Sequence, residues 1–359
     1  MSTPFPRVQC FQECAGTERL FWGGVSMHDR MRRDVFTRSL AALVLVSLCA
    51  VCSPGLAATF TEVIAFGDSL SDSGNVYALS HDWIPGSPYW QGRFSNGPTW
   101  VEILAGRLGL ADPAARWGSL GEPTNYAVGG AKTDYTEEPF IGVIGMDTQV
   151  GWFQTDLVNN PSWNVSDALF VVWGGGNDYM DYLDSGGPLP TPAANLRQRM
   201  ETLIGLGAKT IVTSNLPPLG DIPKYRNTAK EAEADQLSQT FAVDLRQEVN
   251  ELSALNAQCS FYYLDVYGVF QDILANPGDY GFSNVTDPAF DGANVVPNPD
   301  EYLFWDSEHP TRAGHVLVGN NAYDHIVPEP GSVVLLLLGL PVLLSRCRKP
   351  ARSPAHFCA

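Results

Sequence analysis

Cysteine is nearly missing from the body of this chain. Of the seven cysteines, Cys10, Cys14, Cys49, Cys52, Cys347 and Cys358 lie in the two terminal segments, and Cys259 stands alone between them. The body therefore has no pair for an intramolecular disulfide, even in a compartment that would permit one, and Cys259 is expected to pack as a small hydrophobe. Positive charge is equally scarce: residues 58–330 carry 12 Lys plus Arg against 35 Asp plus Glu, a balance near −23. That surface disfavours nucleic acid and anionic lipid headgroups as partners and suits neutral sugars or small esters. There is no His-Glu-x-x-His and no paired cysteine, so no metal site is expected, and Gly174-Gly175-Gly176-Asn177 lacks the Lys and Ser/Thr of a phosphate loop. No cofactor is called for.

Apart from the two ends the chain has no linker, repeat or low-complexity run, and 359 residues with this apolar content support one catalytic domain. The ends differ from the middle. Residues 31–58 begin with Met31-Arg32-Arg33, turn apolar from Leu40, and finish in Gly55-Leu56-Ala57, the basic, apolar and small-residue order of a secretory signal peptide. Residues 1–30 fit no part of that signal and are expected to be a spurious extension, with Met27 or Met31 as the start. At the other end, residues 327–352 open on Val327-Pro328-Glu329-Pro330-Gly331-Ser332, continue as an apolar run at 332–345, and close on Arg346, Arg348, Lys349 and Arg352. As a helix that run reaches only ~21 Å against a bilayer core of ~30 Å. It reads as a transmembrane segment with a cytoplasmic cationic tail, so the body is expected to be exported, at the cell surface, in the periplasm or in the extracellular matrix.

Within the body, 63–66, 125–128, 168–173, 210–216 and 261–265 are rich in β-branched or aromatic residues and each precedes turn formers, so they are expected to be buried strands. Helical patterns lie between them at 99–108, 193–206 and 228–252, the last with Leu237, Phe241, Leu245, Val249 and Leu252 on one stripe. Strands alternating with helices predict an α/β fold with a parallel sheet covered on both faces. Ser69 follows the first strand, where an open α/β sheet presents its active site. A serine hydroxyl needs a histidine to take its proton, and that histidine needs an acceptor on its other nitrogen. Asp306-Ser307-Glu308-His309 can supply both from one loop, with Glu308 as an alternative acid and His315 and His325 as rival bases. No Gly-x-Ser-x-Gly elbow surrounds Ser69, which sets the chain apart from the common α/β-hydrolases.

Four blocks in order carry a resemblance: Gly67-Asp68-Ser69-Leu70, Asn125-Tyr126-Ala127-Val128-Gly129-Gly130, Gly175-Gly176-Asn177-Asp178 and Asp306-Ser307-Glu308-His309. Over 59–326 the chain resembles a GDSL-type lipase/esterase of the SGNH hydrolase superfamily. Gly92-Arg93-Phe94-Ser95-Asn96-Gly97-Pro98, Asn215-Leu216-Pro217-Pro218-Leu219-Gly220 and 276–282 also look familial. The resemblance implies a flavodoxin-like three-layer α/β/α arrangement with a five-stranded parallel sheet. It implies Ser69 as nucleophile, His309 as base, Asp306 as orienting acid, and an oxyanion hole formed by the Ser69 and Gly130 N–H groups and the Asn177 side chain. The C-terminal segment resembles a PEP-CTERM sorting signal, which implies an exosortase-type sorting enzyme as partner; a permanent membrane anchor is the other reading.

Residues His81, Tyr89, Trp90 and Phe94, in or beside a Gly/Pro-rich loop soon after Ser69, are candidates for the substrate cleft. Aromatics there stack on sugar rings or take an acyl chain if exposed, and merely pack if buried. The expected activity is hydrolysis of carboxylic esters, with short or O-acetyl esters of extracellular polysaccharide as the favoured substrate. Lipase or lysophospholipase action on longer chains, and a non-catalytic matrix protein on a hydrolase scaffold, are the alternatives.

Overall fold

The computed structural model describes residues 60–117, 123–134 and 144–327. The expected extension at 1–30, the expected signal peptide at 31–58 and all but the first residue of the 327–352 segment lie outside the described residues. Among the described residues no helix is long and apolar enough to cross a membrane.

In chain order the body runs β1 (Val63–Gly67), α1 (Asn75–Leu79), α2 (Trp100–Leu108), α3 (Met146–Asn159), β2 (Leu169–Trp173), α4 (Gly176–Ser185), α5 (Pro192–Gly205), β3 (Thr210–Ser214), α6 (Glu231–Leu255), β4 (Ser260–Leu264) and α7 (Val266–Ala275). It then closes with β5 (Asn284–Pro288), β6 (Tyr302–Phe304) and α8 (Arg312–Ile326). Strands β1 to β4 pair in parallel in that order. Every residue of β1 and β2 is buried, as strands covered on both faces require.

The fifth strand expected at 125–128 is a looser element. It runs parallel to β1 on the outer side, through Ala65 N–H to Thr124 O, Tyr126 N–H to Ala65 O and Val128 N–H to Gly67 O. With the two-residue period of a strand, the next rung would join Gly67 N–H to Tyr126 O. Instead the Gln149 side chain accepts Gly67 N–H at 2.9 Å, and it donates to the Gly67 carbonyl at 2.8 Å alongside Val128 N–H. A glutamine delivered by α3 thus replaces one rung of the ladder where β1 gives way to the Ser69 loop, and the regular sheet keeps four strands.

This order reverses direction at β1. The chain steps one way from β1 to 125–128, then back past β1 to β2, β3 and β4. Right-handed crossovers then put α2 on one face and α3, α5 and α6 on the other. The packing agrees: α2 lies against α8 and β1, while α3, α5 and α6 pack on one another and on β1, β2 and β4. The carboxyl end of β1 is therefore the topological switch point, where such sheets open a crevice.

Local chemistry sets the element ends. Thr99 and Glu102 form a reciprocal capping box that starts α2. The start of α6, at Glu231, comes later than the expected 228, because Thr228 closes a turn on Tyr225 through both its N–H and its hydroxyl. The expected stripe of α6 is buried along its length, each side chain contributing roughly 1.5–3 kcal/mol. Cys259 is half-buried, with its thiol 3.6 Å from Ala208 O. Strands β5 and β6 form a separate two-stranded parallel sheet, absent from the sequence expectation, whose second strand leads directly to Asp306.

Candidate active site

Residue Gly67 closes β1 under a steric constraint, since a Cβ there would run into the Trp173 carbonyl oxygen. After it, Asp68 folds the loop by accepting Leu70 N–H on its side chain and the Ser71 and Asp72 N–H groups on its carbonyl. Ser69 is thereby held at the strand exit, 9% exposed. The chain from 302 to 311 comes to meet it. Trp305 N–H donates to His309 O at 2.7 Å, closing a tight loop, and the Glu308 and His309 N–H groups both donate to Asp306 Oδ1.

The three side chains form one continuous line. His309 Nε2 lies 2.8 Å from Ser69 Oγ, and His309 Nδ1 lies 2.7 Å from Asp306 Oδ2. Among the candidate acids, Asp306 holds the histidine; Glu308 instead lines the adjoining cleft, 3.8 Å from Lys224 Nζ. The rival base His315 is buried in α8 and accepts Trp100 N–H on Nδ1, which commits it to the packing of α2, while burial and the charge of His309 push its pKa down to about 3. His325 sits exposed near the end of α8, its Nδ1 3.2 Å from Asn321 O.

Burial alone would raise the Asp306 pKa, but the charge and hydrogen bond of His309, with two backbone N–H groups, hold it down at about 2. Burial alone would lower His309; the charge and hydrogen bond of Asp306, with Glu308 and Asp68 nearby, outweigh it and hold the imidazole up at about 9. Beside Ser69, burial pushes the Asp68 carboxyl up to about 7 against the pull of Leu70 N–H and His309.

Asn177 lines the cleft with Ser69, and Gly130 lies one residue before its partner Ala131. Neither Ser69 N–H nor Gly130 N–H has an acceptor among the described residues. Gly130 is exposed with φ +79°, a left-handed conformation suited to glycine, and nothing crowds it. Asn177, in the first turn of α4, spends one amide hydrogen on Ala131 O at 3.0 Å, which leaves the other available and ties it to the residue after Gly130. Asp178 accepts from the Thr133 N–H and hydroxyl, joining the same two segments.

Two residues just past the Gly67–Leu70 block organise this junction. Asp72 caps the start of α1 by accepting the Gly74, Asn75 and Val76 N–H groups, and it also accepts Gly129 N–H at 2.9 Å. Asn75 donates to Asn125 O and Ala127 O and accepts Trp117 N–H. Their spacing, an aspartate three and an asparagine six residues after Ser69, was the available signal.

The cleft in front of Ser69 and His309 has walls of Leu70, Met180, Leu216, Pro217, Leu219 and Ile222, with Asp68, Asn177 and Glu308 as polar points. None of the four proposed cleft residues lines it. His81 is exposed in the turn after α1. Trp90 lies under the Arg93 guanidinium, 5.0 Å from ring centre to Cζ. Phe94 packs on the His309 ring, with centroids 5.3 Å apart. Tyr89 donates its hydroxyl to Asp306 Oδ2 at 2.8 Å. The correction has a physical cause: the Gly/Pro-rich loop is tied to the Asp306–His309 loop by Ser95 Oγ to Pro310 O and Arg312 N–H to Asn96 Oδ1, so it braces the triad instead of walling the cleft. The actual wall comes from α4 and from 216–222, where no motif reports burial against a ligand.

Comparison with known proteins places this geometry. Residues 63–322 match the model of the GDSL-like Lipase/Acylhydrolase family. The chain is 28% identical over 279 residues to the thermolabile hemolysin of Vibrio parahaemolyticus, spanning 71% of this chain and 61% of that protein. It is 27% identical over 332 residues to acetylajmalan esterase 2 of Rauvolfia serpentina, spanning 75% of this chain and 90% of that protein. Among solved structures, an acetylxylan esterase of Geobacillus stearothermophilus aligns at TM-score 0.43 and 16% identity, over 75% of this chain and 95% of that one.

Proposed function

The chain belongs to the GDSL-like lipase/acylhydrolase family of ester-hydrolysing enzymes, and we propose that it cleaves carboxylic esters through an acyl-enzyme on Ser69. The observation that carries this is the unbroken line Ser69 Oγ, His309 Nε2, His309 Nδ1, Asp306 Oδ2, with contacts of 2.8 and 2.7 Å, opening onto a cleft. His309 takes the Ser69 proton as Oγ attacks the ester carbonyl, then returns it to the departing alcohol; a water molecule repeats the sequence to free the acid. Asp306 holds the ring in the tautomer that leaves Nε2 facing Ser69 and stabilises the imidazolium. The charge that grows on the carbonyl oxygen is met by Ser69 N–H, Gly130 N–H and the free amide hydrogen of Asn177.

The substrate reading rests on the cleft and the surface. Six apolar side chains at the mouth favour an acyl group of several carbons over acetyl alone. The acidic body and the exported setting read from the terminal segments favour an uncharged alcohol, such as the hydroxyl of an extracellular polysaccharide. Export, with the 327–352 segment as a sorting tag or anchor, belongs to this proposal and rests on residue order alone. Hydrolysis of p-nitrophenyl acetate, butyrate and longer esters by the purified protein, beside Ser69→Ala and His309→Ala, tests it. Turnover that collapses in both variants supports the serine mechanism, and the rate against chain length separates an acetyl esterase from a lipase. No turnover above the Ser69→Ala background, in a folded protein, would instead favour a binding role.

A further inference from the structure

Tyr89 is separated by 217 residues from the aspartate it touches. Its ring is clamped edge-on by Phe94, Phe290 and Trp305, at centroid distances of 6.4, 5.8 and 5.9 Å. That clamp aims the hydroxyl at Asp306 Oδ2, the oxygen that also receives His309 Nδ1. The other oxygen, Oδ1, accepts the Glu308 and His309 N–H groups and also lies 2.9 Å from His309 Nδ1. The carboxylate thus has donors on both oxygens, and among the described residues only Tyr89 comes from outside the 306–309 loop. Without it, Oδ2 would be held by the histidine alone, the group it is meant to orient. Burial, with the charge of Asp306, pushes the Tyr89 phenol above its ordinary value, so the hydroxyl stays a donor throughout the working range.

We propose that Tyr89 is a positioning residue whose hydroxyl locks the Asp306 carboxylate and, through it, the His309 ring against Ser69. This rests on the esterase reading for its kinetic consequence but not for its structural one. The hydroxyl has a second effect: as a neutral donor it draws charge from Oδ2 and tempers the pull of Asp306 on the imidazolium. The groups facing His309 are Asp306 and Glu308 on its own loop, Asp68 beside Ser69, and His315 from α8. None of them replaces a donor at Oδ2.

The test is Tyr89→Phe, which keeps the clamped ring and deletes one oxygen, with Trp90→Phe as a control in the same loop that leaves Tyr89 and its clamp intact. The expected result is a fall in kcat of about 10-fold with KM unchanged, the loss of one hydrogen bond to a charged group. An NMR titration of the His309 imidazole, which needs no turnover, should move up by about half a pH unit or more in Tyr89→Phe and stay put in Trp90→Phe. A parent protein without Ser69-dependent turnover would remove the esterase reading, and the NMR titration would still decide the role of Tyr89. A His309 titration in Tyr89→Phe matching the parent, or a kcat loss equalled by Trp90→Phe, would overturn the inference.

Discussion

The catalytic line is bounded by two regions built on opposite principles. The supporting wall, residues 89–97 with 302–312, is a mesh of directed bonds: Tyr89 to Asp306, Ser95 to Pro310, Arg312 N–H to Asn96, Trp305 to His309. The cleft wall, Leu70, Met180, Leu216, Pro217, Leu219 and Ile222, presents apolar surface. Hydrogen bonds depend steeply on distance and angle and so fix atoms, whereas apolar contact depends on area and tolerates many shapes. The first wall can set the chemistry and the second the choice of acyl group.

That contrast can be broken most severely at the line itself. Ser69→Ala should lower kcat by on the order of 10⁴-fold or more, measured against p-nitrophenyl butyrate, with the melting midpoint preserved. Asn177→Ala should come next, at about 10²- to 10³-fold in kcat with KM little changed, as for the loss of one oxyanion donor. A pH profile sharpens the electrostatic side. Because Asp306 raises His309 to about 9, the neutral imidazole needed as base fills in only as pH climbs above the usual histidine value, and kcat/KM should rise through an ionisation well above 6.5. The same shifts bear on stability. The His309–Asp306 interaction stabilises the fold fully below the unfolded histidine pKa and is lost as pH rises through about 9; on the acid side it is lost as pH falls through about 2. Urea unfolding midpoints between pH 5 and 10 would register the alkaline loss, and a flat profile in both assays would contradict it. The cleft wall should give the smallest effect: Met180→Ala should weaken butyrate relative to acetate by several-fold in kcat/KM, the worth of a lost apolar contact in a pocket, with no change on acetate.

Legibility in the sequence divided along the same boundary. Ser69, Gly130, Asn177, Asp306 and His309 were named from blocks in which directed chemistry restricts residue type and spacing. The strands at 63–66, 168–173 and 210–216 were named because strands buried on both faces must be runs of β-branched and aromatic residues. The run at 261–265 looked the same, but β4 is the edge of the sheet and only its Leu264 is buried. Residues 125–128 also showed the pattern, yet the ladder there is interrupted by Gln149, a side chain 82 positions from Gly67 that no local period reveals. The cleft lining was missed for a related reason: Leu216, Leu219 and Ile222 look like any other core residues until the chain is folded.

The sequence by itself determined the four strands of the main sheet, the Ser69 and His309 blocks, and the acidic, nearly cysteine-free character of the body, because these follow from local periodicity, turn chemistry and composition. Only the tertiary structure decided that Asp306 and not Glu308 holds His309, that Tyr89 and Phe94 brace the triad instead of lining the cleft, and that Asp72 and Asn75 tie the Ser69 loop to the Gly130 turn. Each of those outcomes depends on distances between residues far apart in the chain, and such distances are set by how the layers pack.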